Sequence, residues 1–388
     1  MEYVKLKNIA KYPTGKLDSN AAVEGGQYPF FTCAQTAAAI DTFAYDGEYV
    51  LLGGNNANGN FPVFYYKGKF NAYQRTYLIQ PTSDNIDTKY LYYAVQLKLN
   101  QMRSNASGTA TKFLTKPILD NINIEYRRID EQRCISSILS AYDDLIENNN
   151  RRIKILEQMA ENLYKEWFVR FRFPGHEQAE FENGIPKGWN ISRLCELGIS
   201  LDSGSRPKGG IDSSLKEGVP SLGAEAIQDI AQFDYSSVKY IPYDYYDKMK
   251  RGKFDGNAIF LYKDGAYIGK TTIFRNKFPF EQFAVNEHVF MIKANNSEYQ
   301  NYLYLTLHQA EYFNQMQNLN RNAAQPGLSQ GDIANIKIDV PSEPVVSLFN
   351  EIVDPIYDEI FELAKKNKNL TKQRDMLLPR LMSGKLEV

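Results

Sequence analysis

The sequence predicts an α+β protein: two mixed globular domains separated by two long helices packed as an antiparallel coiled coil, the halves forming a pseudo-twofold internal repeat. Three observations carry this. Sliding the 388-residue chain against itself by 214 positions pairs Leu114 with Leu328, Asn121 with Asn335, Ile122 with Ile336 and Ile124 with Ile338. Without a gap, the same offset then pairs Ile138 with Ile352, Asp144 with Asp358, Ile146 with Ile360, Leu156 with Leu370 and Leu163 with Leu377. Upstream, an offset of 209 to 210 aligns Val50, Leu51, Leu52 and Gly59 with Ile259, Phe260, Leu261 and Gly269, and Phe64, Lys67 and Phe70 with Phe274, Lys277 and Phe280. Finally, each copy ends in a long, charged, amphipathic segment, ENNNRRIKILEQMAENLYKEWF in one and EIFELAKKNKNLTKQRDMLLPRLMSGKL in the other.

The first mixed domain is expected over residues 1–130. GEYVLLGG and FPVFYYKGKF have strand composition, TKYLYYAVQLKLNQMRS has helical spacing, and the small-residue loop SNASGTATKFLTK leads into an Asn-Ile-x-Ile strand. A spacer helix follows over 131–172. Ile138, Tyr142, Leu145, Leu156, Met159 and Leu163 keep a 4-3 spacing that predicts a coiled-coil seam, interrupted by Asn149 and Arg152. From Glu131 to Phe168 such a helix runs about 57 Å at a rise of about 1.5 Å per residue. It ends where Pro174-Gly175, Asn183-Gly184, Pro186 and Gly188 break regular structure. The second mixed domain, 173–342, repeats the pattern with NAIFLYKDG, HVFMIKA, NSEYQNYLYLTLHQAEYFNQMQ and the loop NRNAAQPGLSQ. A second spacer helix, 343–388, carries Ile352, Ile356, Leu363, Leu370 and Leu377 at equivalent seam positions. Matching seams in one chain most simply pack on each other; two surface helices lying on their own domains are the alternative.

Composition excludes several classes of function. No apolar run approaches the roughly 18 residues a bilayer span needs, and MEYVKLKNIAKYP has no signal-peptide core, so a cytoplasmic protein without membrane contact is expected. Cys33, Cys134 and Cys195 are odd in number and far apart, and His176, His288 and His308 are equally scattered. With no CxxC or HExxH, neither disulfides nor a metal is expected. There is no phosphate loop and no GxGxxG after a strand, so no cofactor and no catalytic residue are expected. The Asp354–Tyr357 stretch DPIY reads as the start of a helix, and Ser203-Gly204-Ser205 has no identifiable His/Asp companion. The formal charge of −1 can still hide a basic face.

Double-stranded DNA is the partner the loops suit. Arg103, Asn105, Lys112 and Lys116 surround the first small-residue loop; Ser203, Ser205, Arg206 and Lys208 form SGSRPKGG; Arg321, Asn322, Gln325 and Gln330 occupy the second repeat's loop. Lys263 and Lys270 flank the turn YKDGAYIGK. Lys and Arg suit phosphates, and Arg, Asn and Gln can pair bidentately with base edges. Solvated loops are the alternative reading of each. Replacing Lys112 is expected to weaken binding to all sequences, and changing Arg321 or Gln325 to alter one half-site.

ENNNRRIKILEQMAENLYKEWFVRFRFPG resembles the central conserved region of specificity subunits of type I restriction-modification systems, and LTKQRDMLLPRLMSGKL resembles their C-terminal one. IPKGWNISRLCELG, VPSLGAEAI, LYKDGAYIGK, FAVNEHVFMI and AAQPGLSQGDIANIKIDVP are similar to a second target-recognition domain. QYPFFTCAQ, GEYVLLGGNNANG and GTATKFLTKPILDNINI are similar to a first. SGSRPKGG departs from the family's frequent Thr-Pro turn. The resemblance implies a non-catalytic subunit that reads a bipartite, asymmetric DNA target, one domain per half-site. It also implies docking of two adenine-methylating subunits, to which nuclease-translocase restriction subunits add. An enzyme with its own methyltransferase or nuclease site, and a coiled-coil interaction protein without DNA function, are the competing readings.

Overall fold

The computed structural model describes residues 2–57, 59–108, 111–212, 214–254, 256–265, 267–320 and 327–388, with the side chain of Asn320 outside the description. The chain divides into two compact units, residues 1–146 with 369–388, and residues 147–368.

In the first unit a six-stranded sheet is built around the long strand Tyr45–Gly53, which pairs antiparallel with Val63–Ala72 on one side and Thr76–Pro81 on the other. Side chains alternate across a strand, and both faces of this one are covered. Val50 and Leu52 pack with Ile79 under the helix Thr88–Asn105, which contributes Tyr90, Leu91 and Ala94. Leu51 faces the opposite way, into an aromatic cluster with Phe31, Phe70 and Leu78. Asp87 starts the helix, its carboxylate accepting from the Tyr90 N–H at 2.7 Å.

The second unit repeats these connections. In the first, Glu2–Lys5 pairs antiparallel with Asn123–Tyr126; in the second, Asn190–Arg193 pairs with Lys337–Val340. Each N-terminal strand is followed by the same bond, Leu6 N–H to Ile122 O at 2.8 Å and Leu194 N–H to Ile336 O at 3.0 Å. The Tyr90 hydroxyl donates to the Glu125 carbonyl, and the Tyr302 hydroxyl to that of Asp339. Even the parallel pairings recur, Phe30–Phe31 with Asn71–Ala72 and Ser221–Leu222 with Ala284–Val285.

The first long helix, Ile129–Tyr164, contains no Gly or Pro and continues through one π-helical turn, Lys165–Val169. The second runs Glu343–Met382, with Pro344 in its first turn, where no intrahelical N–H bond is lost. DPIY therefore does not start a helix: Pro355 lies well inside this one, and the carboxylate of the preceding Asp354 is bound by Arg275 at 2.9 Å.

Within each unit the helices pair antiparallel. In the first, Arg374 binds Asp143 at 2.5 Å and Leu378, Leu381 and Met382 share a core with Ile135 and Leu139. In the second, Asn149 donates to Asn367 at 2.8 Å, Arg152 pairs with Glu359 at 2.6 Å, and Phe168 meets Phe349 edge-on. The partner's number falls as the residue's number rises throughout.

The buried stripe differs from the expected seam. It runs through Ile135, Leu139, Asn149, Ile153 and Ala160, while Leu145, Met159 and Ile352 are 53%, 50% and 46% exposed. Ile138, Leu156, Leu163, Ile356 and Leu377 pack partly buried against the cores, Leu363 is buried, and Tyr142 and Leu370 are half-buried. The reason is that the stripe includes positions apolar periodicity does not mark. Asn149 is satisfied by an amide partner, and Ala160 lets the helix approach closely. Among the described residues no helix is long and apolar enough to cross a membrane.

Arg374 is the hinge of a polar network that also takes the Tyr93 hydroxyl, 2.5 Å from Asp143. Arg374→Ala leaves Asp143 without its cation in a site where both side chains are less than a third exposed. It is expected to lower stability by about 1–2 kcal/mol. A urea midpoint that does not move would show that the network adds nothing to the helix pairing.

Candidate nucleic-acid interface

Both units build a polar cluster on the same backbone frame. In the first, Gly54 N–H donates to Arg75 O at 2.7 Å and Gly54 O accepts from Leu114 N–H at 2.8 Å. In the second, Lys263 N–H donates to His288 O at 3.1 Å and Lys263 O accepts from Leu328 N–H at 2.9 Å. Gly54 thus corresponds to Lys263, Arg75 to His288, and Leu114 to Leu328. A glycine is needed nearby in each copy, because a methyl group on Gly15 would lie 2.2 Å from Ala72 O and one on Gly204 only 1.6 Å from Val285 O.

In the first unit the cluster gathers around the loop NNANGN. Asn55–Asn56 pairs with Lys112–Phe113, and the Arg75 guanidinium lies 5.6 Å from the centre of the Phe113 ring. Gly59 is left-handed, with φ 71°, and a methyl group there would be 3.0 Å from Arg103 Cγ and 3.4 Å from Lys112 Cγ. Arg103 and Asn105 are exposed at the end of their helix, and Gln35 donates to Asn60 O at 2.7 Å. Among the described residues Arg75, Arg103 and Lys112 form no ion pair. Lys116 stands apart in its chemistry: it binds Asp120 at 3.4 Å and lies 5.6 Å from the Tyr12 ring centre.

In the second unit the cations are matched by acids. Arg206 pairs with Glu287 and lies 3.0 Å from His288 Nε2, while His288 Nδ1 is 2.8 Å from Asp264. Burial pushes the Glu287 carboxyl up, but Arg206 and the neighbouring His288 hold it below the usual range overall. Lys263 donates to Glu287 O at 3.3 Å and sits 5.0 Å from the Phe290 ring centre. Ser203 is a half-buried strand residue opposite Phe290; Ser205 is exposed, 2.9 Å from the Tyr245 hydroxyl, and Lys208 is exposed. Two candidates are spent on other bonds: Lys270 on Asp229 at 3.4 Å, and Gln330 on Leu201 O at 3.3 Å. Arg321, Asn322 and Gln325 lie outside the described residues.

The corresponding glycine of the second unit, Gly269 with φ 86°, faces Met316 Cβ at 3.0 Å where Gly59 faces Arg103. One scaffold position thus carries an exposed guanidinium in one copy and a fully buried thioether in the other. Sequence reasoning passed over Arg75, Gln35, Asn55, Asp264, Glu287 and His288. The available signal was the bracketing of the pair by the repeat: Phe70 matches Phe280 at an offset of 210 and Leu114 matches Leu328 at 214, and Arg75 and His288, 213 apart, fall between them. Each cluster also holds a buried carbonyl or carboxylate oxygen without a hydrogen-bond donor among the described residues, Asn55 Oδ1 and Glu287 Oε2. Such unpaired acceptors are uncommon in folded proteins.

A family model, the type I restriction modification DNA specificity domain, matches residues 1–158 and 186–373. The chain is 30% identical over 326 residues to the type I restriction enzyme MjaIX specificity subunit of Methanocaldococcus jannaschii, covering 79% of this chain and 70% of that one. It is 32% identical over 232 residues to the EcoDI specificity subunit of Escherichia coli, covering 54% of this chain and 50% of that relative's length. Over its whole length it is 25% identical to the MjaVIII specificity subunit of M. jannaschii, of which it covers 93%. In fold it is similar to the crystal structure of a type I restriction-modification S subunit from M. genitalium, with TM-score 0.59 and 18% identity over 98% of this chain and 95% of that one.

The frame itself is testable. Gly204→Ala forces a backbone shift at the edge of the second cluster and is expected to cost about 2 kcal/mol or more. Thermal unfolding unchanged from the parent would mean that the carbonyl of Val285 does not hold this approach.

Proposed function

The chain belongs to the type I restriction-modification DNA specificity family, and on that premise we propose that it chooses the DNA target of such a complex. It reads a bipartite, asymmetric sequence with one recognition domain per half-site. The observation that carries this reading is the repeated frame holding different chemistry: Gly54 against Lys263 and Arg75 against His288. Equal frames place reading groups alike against DNA, and unequal groups select unequal half-sites.

The clusters divide the work. Arg75, Arg103 and Lys112, free of internal acids among the described residues, neutralise phosphates and release counterions, which supplies affinity without sequence choice. Arg206 is already bonded to Glu287, so its guanidinium is held in one orientation by Glu287 and His288. A base edge that displaces or joins that array is read by its donors and acceptors. Preorganisation makes discrimination sharper, because a wrong base leaves a polar group unpaired.

The chain contributes no reaction chemistry in this reading. Two methyltransferase subunits dock on the long helices, where Leu145, Ile155, Met159, Ile352 and Met376 leave apolar surface exposed, and restriction subunits join through that methyltransferase core. The pseudo-twofold repeat suits two identical partners. The unread gap in the target follows the length of the paired helices.

Mapping methylated adenines across the host genome, with and without this gene and with the methyltransferase present, is expected to show loss of one split, asymmetric motif. If no motif disappears, the reading fails. Exchanging residues 1–130 should reassign one half only, and deleting a heptad from both helices should shorten the gap.

In direct binding, Arg103→Ala or Lys112→Ala should weaken affinity for every sequence and reduce the slope of log K against log salt by roughly one. Arg206→Ala should instead change preference in one half-site with less change of slope. Equal slopes for parent and all three variants would remove these loops from the DNA surface.

A further inference from the structure

We propose that the second unit binds a divalent transition-metal cation of the zinc class between Glu157, Glu161 and His308. Glu157 and Glu161 are one helical turn apart on the first long helix, so both carboxylates project from one face. His308 caps the helix Gln300–Leu307 of the recognition domain. One ligand atom from each lies within 4.8 Å of the others. A tetrahedral site with bonds of about 2.1 Å needs separations of about 3.4 Å. The two Glu side chains, each with three rotatable torsions, can close that difference without backbone movement.

The surroundings favour a cation. His308 Nδ1 lies 3.0 Å from Thr271 Oγ1 and the ring rests against Tyr304, with centroids 5.3 Å apart. This holds the imidazole through Nδ1, so Nε2 is the nitrogen a metal would take, the outer-shell arrangement metal-binding histidines use. Burial pulls the His308 pKa down, so the ring is neutral, as a ligand must be. Burial, with Glu161 and Asp229 adding to it and Lys154 pulling the other way, pushes the Glu157 carboxyl up to about 7.

Of the nearby cations, Lys270 is held by Asp229 at 3.4 Å, whereas Lys165 reaches Glu161 itself at 3.4 Å from the next turn and is the group a metal would displace. Two carboxylates and an imidazole suit zinc or manganese better than magnesium or calcium, which prefer all-oxygen sets. Three protein ligands leave a fourth position for water. A metal here would clamp the second half of the long helix to the recognition domain it carries. The His lies far from the two Glu in sequence, so no spacing motif marks the set.

The test uses the full chain, stripped with chelator and titrated with ZnCl2, then with MgCl2 as the control. Expected are saturable uptake of one zinc that raises the unfolding temperature, and no such shift with magnesium. Glu157→Gln should abolish the zinc-induced shift while leaving the metal-free chain as stable as the parent or more so, because a repulsive charge is gone. His308→Gln should abolish it too. Replacing zinc with Co2+ gives a visible spectrum that should vanish in Glu157→Gln. Absence of saturable zinc binding, or binding that survives both substitutions, overturns the proposal. This outcome is independent of the methylation map, since it reads stability and spectra rather than target choice.

Discussion

The antiparallel pairing of the two long helices is the constraint on which the rest depends. Both boundaries between the compact units fall inside these helices, at 146/147 and 368/369. Each helix must therefore meet its partner and hold a recognition domain at once. A seam of aliphatic residues alone would tolerate slippage by a heptad. Here the register is fixed by polar pairs that only one alignment satisfies, Asp143 with Arg374 and Asn149 with Asn367. Burying these groups costs desolvation, and misregister would break the Asp143–Arg374 and Asn149–Asn367 bonds together, so the gain lies in uniqueness more than in stability.

The repeat makes the two recognition domains comparable within one molecule. Backbone bonds that recur, such as Leu6 to Ile122 and Leu194 to Ile336, belong to the frame. Side chains that change on that frame belong to recognition or to local packing, and the chemistry separates these. Arg103 and Met316 differ because the first faces solvent and the second fills a core. Arg75 and His288 differ in what they meet: the first lies over the Phe113 ring and the second is bonded between Asp264 and Arg206.

Charge is also distributed unequally. The first cluster is basic and unpaired among the described residues; the second is an internally compensated array of Arg206, Glu287, His288 and Asp264. An uncompensated cluster attracts phosphate over a distance set by salt, whereas a compensated one contributes little at long range and much on contact. The two clusters thus differ in the kind of field they present, one long-range and one acting on contact.

How much of this was legible in the sequence follows from which interactions are periodic. The internal repeat, the two long helices and their seams rest on local hydrophobic spacing and on an alignment of the chain with itself, so they could be read without coordinates. The exact seam could not: Leu145, Met159 and Ile352 carry the right spacing but lie exposed, because Asn149 and Ala160, which spacing ignores, take the buried stripe. Candidate site residues divided in the same way. Arg103 and Lys112 flank a loop the sequence marks, and they do meet at Gly59; Lys270 and Gln330 are spent on Asp229 and Leu201, partners distant in the chain. Sequence alone determined the repeat, its helices and the loops that carry charge, because each is a local pattern. Only the tertiary structure decided which charges are free, which are paired, and that His308 stands beside Glu157 and Glu161, because those are facts about approach in space between residues the chain keeps far apart.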